Sequence, residues 1–131
     1  MESTIRADVE AINRLREQAF ETGDIWDYID HFADDTVWMP NGETTLVGKE
    51  AVRAWATRFD GQTFRFRIVP EEVVVAGDWA FDRFIEIMIP VSLTGEDGDP
   101  SCYQAFWTLR RQVDGSWKIT HYIWNNHPPI G

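Results

Sequence analysis

At 131 residues the chain is long enough for one domain with a real core, and 44% hydrophobic and 14% aromatic residues, seven of them Trp, exclude a disordered polypeptide. A formal net charge of −10 repels polyanions and excludes nucleic acid as a partner, while the single Cys102 permits no internal disulfide and belongs to no metal-thiolate spacing. The N-terminus lacks the basic start and apolar run of a signal peptide, and no segment reaches the ~20 apolar residues of a membrane span, so one domain over residues 1–131 in the cytoplasm is expected, with no membrane partner.

Ile5, Val9, Ile12, Leu15 and Ala19 recur at steps of three and four behind Ser3 or Thr4 as a cap, which predicts an amphipathic helix over 4–21 that ends at Gly23. Asp24 can cap a short second helix in which Trp26, Ile29 and Phe32 share a face, closed by Ala33-Asp34-Asp35. Thr36 to Met39 reads as a short strand stopped by Pro40, and Asn41-Gly42-Glu43 as a turn. Val52, Trp55, Ala56 and Phe59 give the spacing of a third helix over 48–59. After Gly61 the period changes to two. Phe64, Phe66 and Ile68 alternate with polar residues, and the run continues past a bend or bulge at Pro70 to Gly77-Asp78. Trp79 to Val91 is a long strand, and Leu93 to Pro100 an acidic loop.

Ser101 to Asn126 reads as a long hairpin about Asp114-Gly115, whose residues accept the positive φ of a tight turn. Strict alternation sets Trp117, Ile119, His121, Ile123 and Asn125 on one face and Lys118, Thr120, Tyr122, Trp124 and Asn126 on the other. Large side chains on both rows predict that both faces are covered, one by helices and the other by a second copy of the chain. The tail from His127 to Gly131 cannot continue a sheet. Helices first and a curved antiparallel sheet afterwards make an α+β domain.

That order, with Glu21-Thr-Gly-Asp-Ile, Phe32-Ala-Asp-Asp-Thr-Val-Trp-Met-Pro, Leu46-Val-Gly-Lys-Glu-Ala-Val-Arg and Asp114-Gly-Ser-Trp-Lys-Ile, resembles the nuclear transport factor 2-like superfamily over nearly the whole chain. Its small bacterial members, the ketosteroid isomerase-like and SnoaL-like proteins, are the nearest in pattern. The resemblance implies a cone-shaped, curved antiparallel (mixed) sheet with three N-terminal helices on its concave face, an apolar cavity at the wide end, and a homodimer through the outer sheet face. It further implies that Thr120, Tyr122 and Trp124 face inward and that His121 lies on the other side. This scaffold hosts isomerases, dehydratases, cyclases and binding modules, so fold alone does not choose among them. The carboxylate base of the isomerases falls here at Met39, their first-helix tyrosine at Arg16 and their protonated aspartate near Trp107, which speaks against ketosteroid isomerase activity itself.

Several side chains are candidates for chemistry, each with an alternative. His121 pairs with Asp82 or Glu86 if it lies inward, and otherwise packs in the core or an interface. Asp82 and Glu86 share a strand face with Phe84 and Met88, where apolar surroundings raise a carboxyl pKa, unless an ion pair holds them. Arg16 favours an anionic ligand group if it reaches the cavity, and is otherwise solvated. Trp38, Trp55, Trp107, Tyr122 and Trp124 come from separate elements and either line a cavity for a flat molecule or fill a core. His31, His121 and His127 lie in unrelated elements, so no metal site and no cofactor is expected. The reading is of a small hydrophobic or aromatic ligand in an aromatic cavity, turned over by a cofactor-independent isomerase, dehydratase or cyclase with Tyr122, His121, Asp82 and Glu86 as acids and bases. The alternative is a non-catalytic binding or accessory protein of the same fold.

Overall fold

A computed structural model describes residues 2–130. Its elements are α1 (Glu2–Glu21), α2 (Ile25–Ile29), β1 (Phe32–Met39), β2 (Leu46–Val47), α3 (Lys49–Ala56) with a 3₁₀ turn at Thr57–Phe59, β3 (Thr63–Ala76), β4 (Trp79–Val91), β5 (Ser101–Arg111) and β6 (Trp117–Asn126). The strands form one sheet of six in the order β2-β1-β6-β5-β4-β3. Every neighbour is antiparallel except β1 and β6, so the sheet is mixed. It is an α+β domain, with the helices on the concave face of a curved sheet.

The long strands and the third helix lie where periodicity puts them, and the register of β3 against β4 shifts between Pro70 and Glu72, as the proline requires. Four elements differ, the first two helices, β1 and the two-residue β2, which was not expected. α1 begins at Glu2, so Ser3 and Thr4 lie inside the helix. The second helix stops at Ile29 and β1 starts at Phe32, because the Phe32 segment pairs with Ile119 of β6, a partner remote in sequence. Within α2 the inward residues are consequently Ile25, Tyr28 and Ile29, and Trp26 is exposed. In the last hairpin only Gly115 takes a positive φ, at 88°, while the Asp114 carboxylate accepts from Ser116 N at 2.9 Å.

The end of the sheet is decided in β6. Thr108 pairs with His121 but Leu109 pairs with Ile119, so Thr120 is an extra residue, a β-bulge. Its hydroxyl turns to Thr108 Oγ1 at 2.6 Å, and its carbonyl accepts from the Thr36 hydroxyl at 3.0 Å. The bulge resets the alternation, so Trp117 and Ile119 share the core with Tyr122 and Trp124. Strict alternation had set these pairs on opposite faces, and the family resemblance had turned Thr120 inward with Tyr122 and Trp124. Both rows carry large apolar groups because the chain changes row once.

Rings fill the space between helices and sheet. Phe20 stacks on Trp107 with centroids 5.8 Å apart, Trp107 meets Phe84 edge-on at 4.9 Å, and Phe32 meets Trp38 at 4.9 Å. Arg111 forks onto Asp8 at 2.9 and 2.7 Å and ties α1 to β5. The α1–α2 corner depends on Gly23, whose φ is 70° and whose missing Cβ would sit 1.8 Å from the Phe64 carbonyl oxygen. Gly61 has φ 78° with open space around it. Gly61→Ala is therefore expected to cost about 1 kcal/mol for the left-handed backbone alone. Gly23→Ala should cost about 3 kcal/mol or more, since β3 backbone must also move, and urea unfolding of the two variants measures the difference.

Candidate functional site

The concave face holds a pocket of about 300 Å³, lined mainly by rings from α1, α2, β1, α3, β3, β5 and β6. Trp38, Tyr122, Trp124 and Trp55 form one wall. Tyr122 lies 4.4 Å from Trp124 and 5.2 Å from Trp38, and Trp55 lies 5.8 Å from both Trp38 and Trp124. Phe20, Phe59, Phe64, Phe66, Met88 and Tyr103 supply most of the rest.

Glu86 is the buried acid of this pocket. It stands on the inward row of β4, opposite Tyr103 of β5, while Tyr122 reaches it from β6, one strand further on. Between Tyr103 and Trp107 the inward row of β5 has Ala105, a side chain small enough for the two groups to meet above it. The Tyr122 hydroxyl donates to Glu86 Oε1. Burial raises the Glu86 carboxyl to about 7 and outweighs the opposing effect of the Tyr122 hydrogen bond. Burial, and then the charge of Glu86, drive both Tyr122 and Tyr28 well above the ordinary phenol value.

Tyr28 is the pocket residue that periodicity did not single out. Its ring packs 6.0 Å from Tyr122 and lines the pocket, and its buried hydroxyl has no hydrogen-bond partner among the described residues. The buried indole nitrogen of Trp38, another lining residue, is also without one. A donor in that condition is costly unless something fills the pocket. The helix spacing of Ile25, Tyr28 and Ile29 carried the signal, and it was masked by a register that favoured Trp26.

The other candidates lie elsewhere. His121 faces the outer side of the sheet, with Nδ1 2.7 Å from Thr108 Oγ1, so it forms no pair with Asp82 or Glu86. Met39 alternates with Trp38 and is absent from the pocket wall. Trp107 is fully buried behind it, between Phe20 and Phe84. Asp82 shares the inward row with Glu86 but is fully buried against Arg16 at 3.2 Å, and Asn13 accepts from the same guanidinium at 2.8 Å. Burial raises Asp82 to about 6 against the pull of Arg16. Arg16 is thus neither solvated nor in the pocket. Among the described residues no three His, Cys, Asp or Glu side chains converge as a metal would need, and no helix is long and apolar enough to cross a membrane.

A family model of the SnoaL-like domain matches residues 12–122. No curated protein matches the sequence significantly. Among solved structures, a ketosteroid isomerase-like protein from Erwinia carotovora atroseptica is 28% identical over 97% of this chain and 96% of its own, with a TM-score of 0.69. A candidate dehydratase of the nuclear transport factor 2-like family from Streptomyces avermitilis is 20% identical over 95% and 99%, at 0.77. A nuclear transport factor 2-like protein with a cystatin-like fold from Novosphingobium aromaticivorans is 22% identical over 98% and 85%, at 0.68. The last two likenesses concern the fold alone.

Folded Glu86 keeps a proton that the unfolded chain releases at its ordinary 4.5. Its contribution to stability is therefore full below pH 4.5 and is lost as pH rises to about 7. Glu86→Gln is expected to remove this decline. The measurement is the difference in melting temperature between wild type and variant across pH 4.5–8, which should change in the variant's favour as pH rises.

Proposed function

The chain belongs to the SnoaL-like domain family, and from that premise we propose that it is a cofactor-independent enzyme moving a proton on a small hydrophobic molecule held in the concave pocket. Isomerisation, dehydration and cyclisation all begin with that step. The observation that carries the reading is the meeting of two titratable groups, Glu86 and Tyr122, at the pocket wall, with a carboxyl pKa of about 7. A base with that value is half ionised near neutral pH and can both take and return a proton.

Glu86 is assigned as the base. It takes a proton from carbon next to a carbonyl, and the electron pair of the broken C–H bond moves onto the carbonyl oxygen as an enolate. Tyr28, whose hydroxyl is uncommitted, donates to that oxygen as charge develops. Tyr122 holds the carboxylate in place and is a positioning residue. The protonated Glu86 then returns its proton to a second carbon, or a leaving hydroxide takes it as water, or the enolate carbon attacks another carbonyl, whose π pair moves onto its oxygen as an alkoxide that takes the proton. The pocket's rings bind the apolar body and keep water away.

The outer sheet face carries Phe81 stacked on Phe106 at 5.2 Å, with Val69, Val74, Trp79 and Ile123 exposed. We assign it to a second copy of the chain, in a homodimer that leaves both concave pockets open. The working protein is placed in the cytoplasm, where the free Cys102 remains a thiol.

Exchange of the α-protons of 2-tetralone with D2O, followed by proton NMR, tests the chemistry without knowledge of the natural substrate. Wild type should accelerate exchange with a rate that rises with pH through about 7. Glu86→Gln should lower it about 10²- to 10⁴-fold, and Tyr28→Phe about 10²-fold. Binding of 2-tetralone by wild type without accelerated exchange would instead identify a binding protein, and accelerated exchange unchanged in Glu86→Gln would overturn Glu86 as the base. Sedimentation at micromolar concentration should give a dimer, and Phe106→Asp a folded monomer.

A further inference from the structure

We infer that the mouth of the pocket carries a receptor for a ligand carboxylate, occupied in the free protein by the chain's own Glu43. One carboxylate there collects three donors. Trp55 Nε1 donates to Glu43 Oε1 at 3.0 Å, Arg58 NH1 donates to Oε2 at 2.9 Å, and Arg58 NH2 lies 2.9 Å from Oε1. This is a fork-on-fork geometry with an added indole N–H. Glu43, Trp55 and Arg58 all line the pocket.

The receptor half is preorganised without Glu43. Trp55 near the end of α3 and Arg58 in the 3₁₀ turn that follows stand one turn apart, the Arg58 Nε donates to the Trp55 carbonyl at 3.2 Å, and the guanidinium lies 4.4 Å over the Trp55 ring. The guest half is held loosely. Glu43 belongs to the turn after Pro40, tied through its own N–H to the Pro40 carbonyl at 3.3 Å, and its carboxylate, like the Arg58 guanidinium, is partly exposed and open to exchange. A ligand carboxylate can exchange with it one for one, with no unpaired charge left on Arg58. The remaining carboxylate at the mouth, Asp24, is engaged in capping α2, where it accepts from Trp26 N at 2.8 Å. The ligand class is therefore an aromatic or polycyclic acid, its rings among Trp38, Tyr122 and Trp124 and its carboxylate at Arg58. This inference rests on the pocket proposed above but not on the chemistry of Glu86.

Isothermal titration with 2-naphthoate and its neutral isostere 2-naphthamide tests it. An intramolecular competitor on a short tether acts at about millimolar effective concentration, so Glu43→Gln should raise 2-naphthoate affinity about tenfold and leave 2-naphthamide unchanged. Arg58→Gln should abolish the preference for the acid. An acid-to-amide ratio that Glu43→Gln does not move overturns the exchange. Weaker amide binding in that variant also overturns it, by making Glu43 a latch over neutral ligands. Amide binding retained in both variants leaves the pocket reading standing when the exchange fails, and absence of binding by both probes removes the two together.

Discussion

One additional residue in β6 governs the inside of this molecule. Were Thr120 paired regularly instead of bulged, the row that begins with Trp117 and Ile119 would continue through His121 and Ile123, and Tyr122 and Trp124 would face outward. A one-residue change of row is cheap when its backbone finds partners, and here it does: the Thr36 hydroxyl serves the Thr120 carbonyl, while the Thr120 hydroxyl donates to the Thr108 carbonyl at 3.2 Å. The bulge thus converts one strand into two inward segments, one that closes the core and one that faces the pocket. It also sends His121 outward. Placement of the phenol that meets Glu86 and exclusion of the imidazole from the pocket have the same cause.

The pocket end of the fold retains groups that cost stability. Tyr28 and Trp38 have buried polar atoms without partners, and Glu86 is a carboxyl held where its charged form is disfavoured. Each would be improved for stability by an apolar residue of similar shape. Their shared wall around a pocket of about 300 Å³ locates the strain at the place where a ligand can relieve it. Two further buried atoms without partners among the described residues, Asp82 Oδ1 and Trp107 Nε1, lie behind the pocket wall, while Asp8 with Arg111 and Asp35 with Arg110 are satisfied bidentately.

Most of the fold was legible in the sequence, because alternation and three-four spacing report which side of an element is dry. The limits of β4 and the proline bulge of β3 follow from local signals, and the family pattern of the Phe32 and Leu46 segments supplied the overall order. What was hidden depended on pairing between distant residues. Phe32 and Ala33 read as the end of a helix until β6 is laid beside them, and a strand bulge leaves no mark when Thr120 is flanked by residues that suit either face. In the site, the inward row of Asp82 and Glu86 was readable, as were Trp38, Trp55, Tyr122 and Trp124. Tyr28 and the Glu43–Arg58 pair were not, since a five-residue helix gives too little periodicity and an ion pair between a turn and a helix end has no sequence signature.

Asp82 and Glu86 are a controlled comparison within one strand. Both are carboxylates on the same row, both are buried, and burial raises both. The neighbour decides what each is for. Asp82 has the Arg16 guanidinium at 3.2 Å, which lets it ionise as one half of a salt bridge between α1 and the sheet, away from the pocket wall. Among the described residues Glu86 has no cation as partner, only the Tyr122 hydroxyl, a neutral donor that steadies the charged form without fixing it. Its proton therefore stays exchangeable near neutral pH, and the same side chain faces the space a ligand would fill. An arginine beside Glu86 instead of Asp82 would hold the Glu86 carboxylate ionised, so the character of the pocket acid is set less by the presence of a carboxylate than by the distance of Arg16 from it.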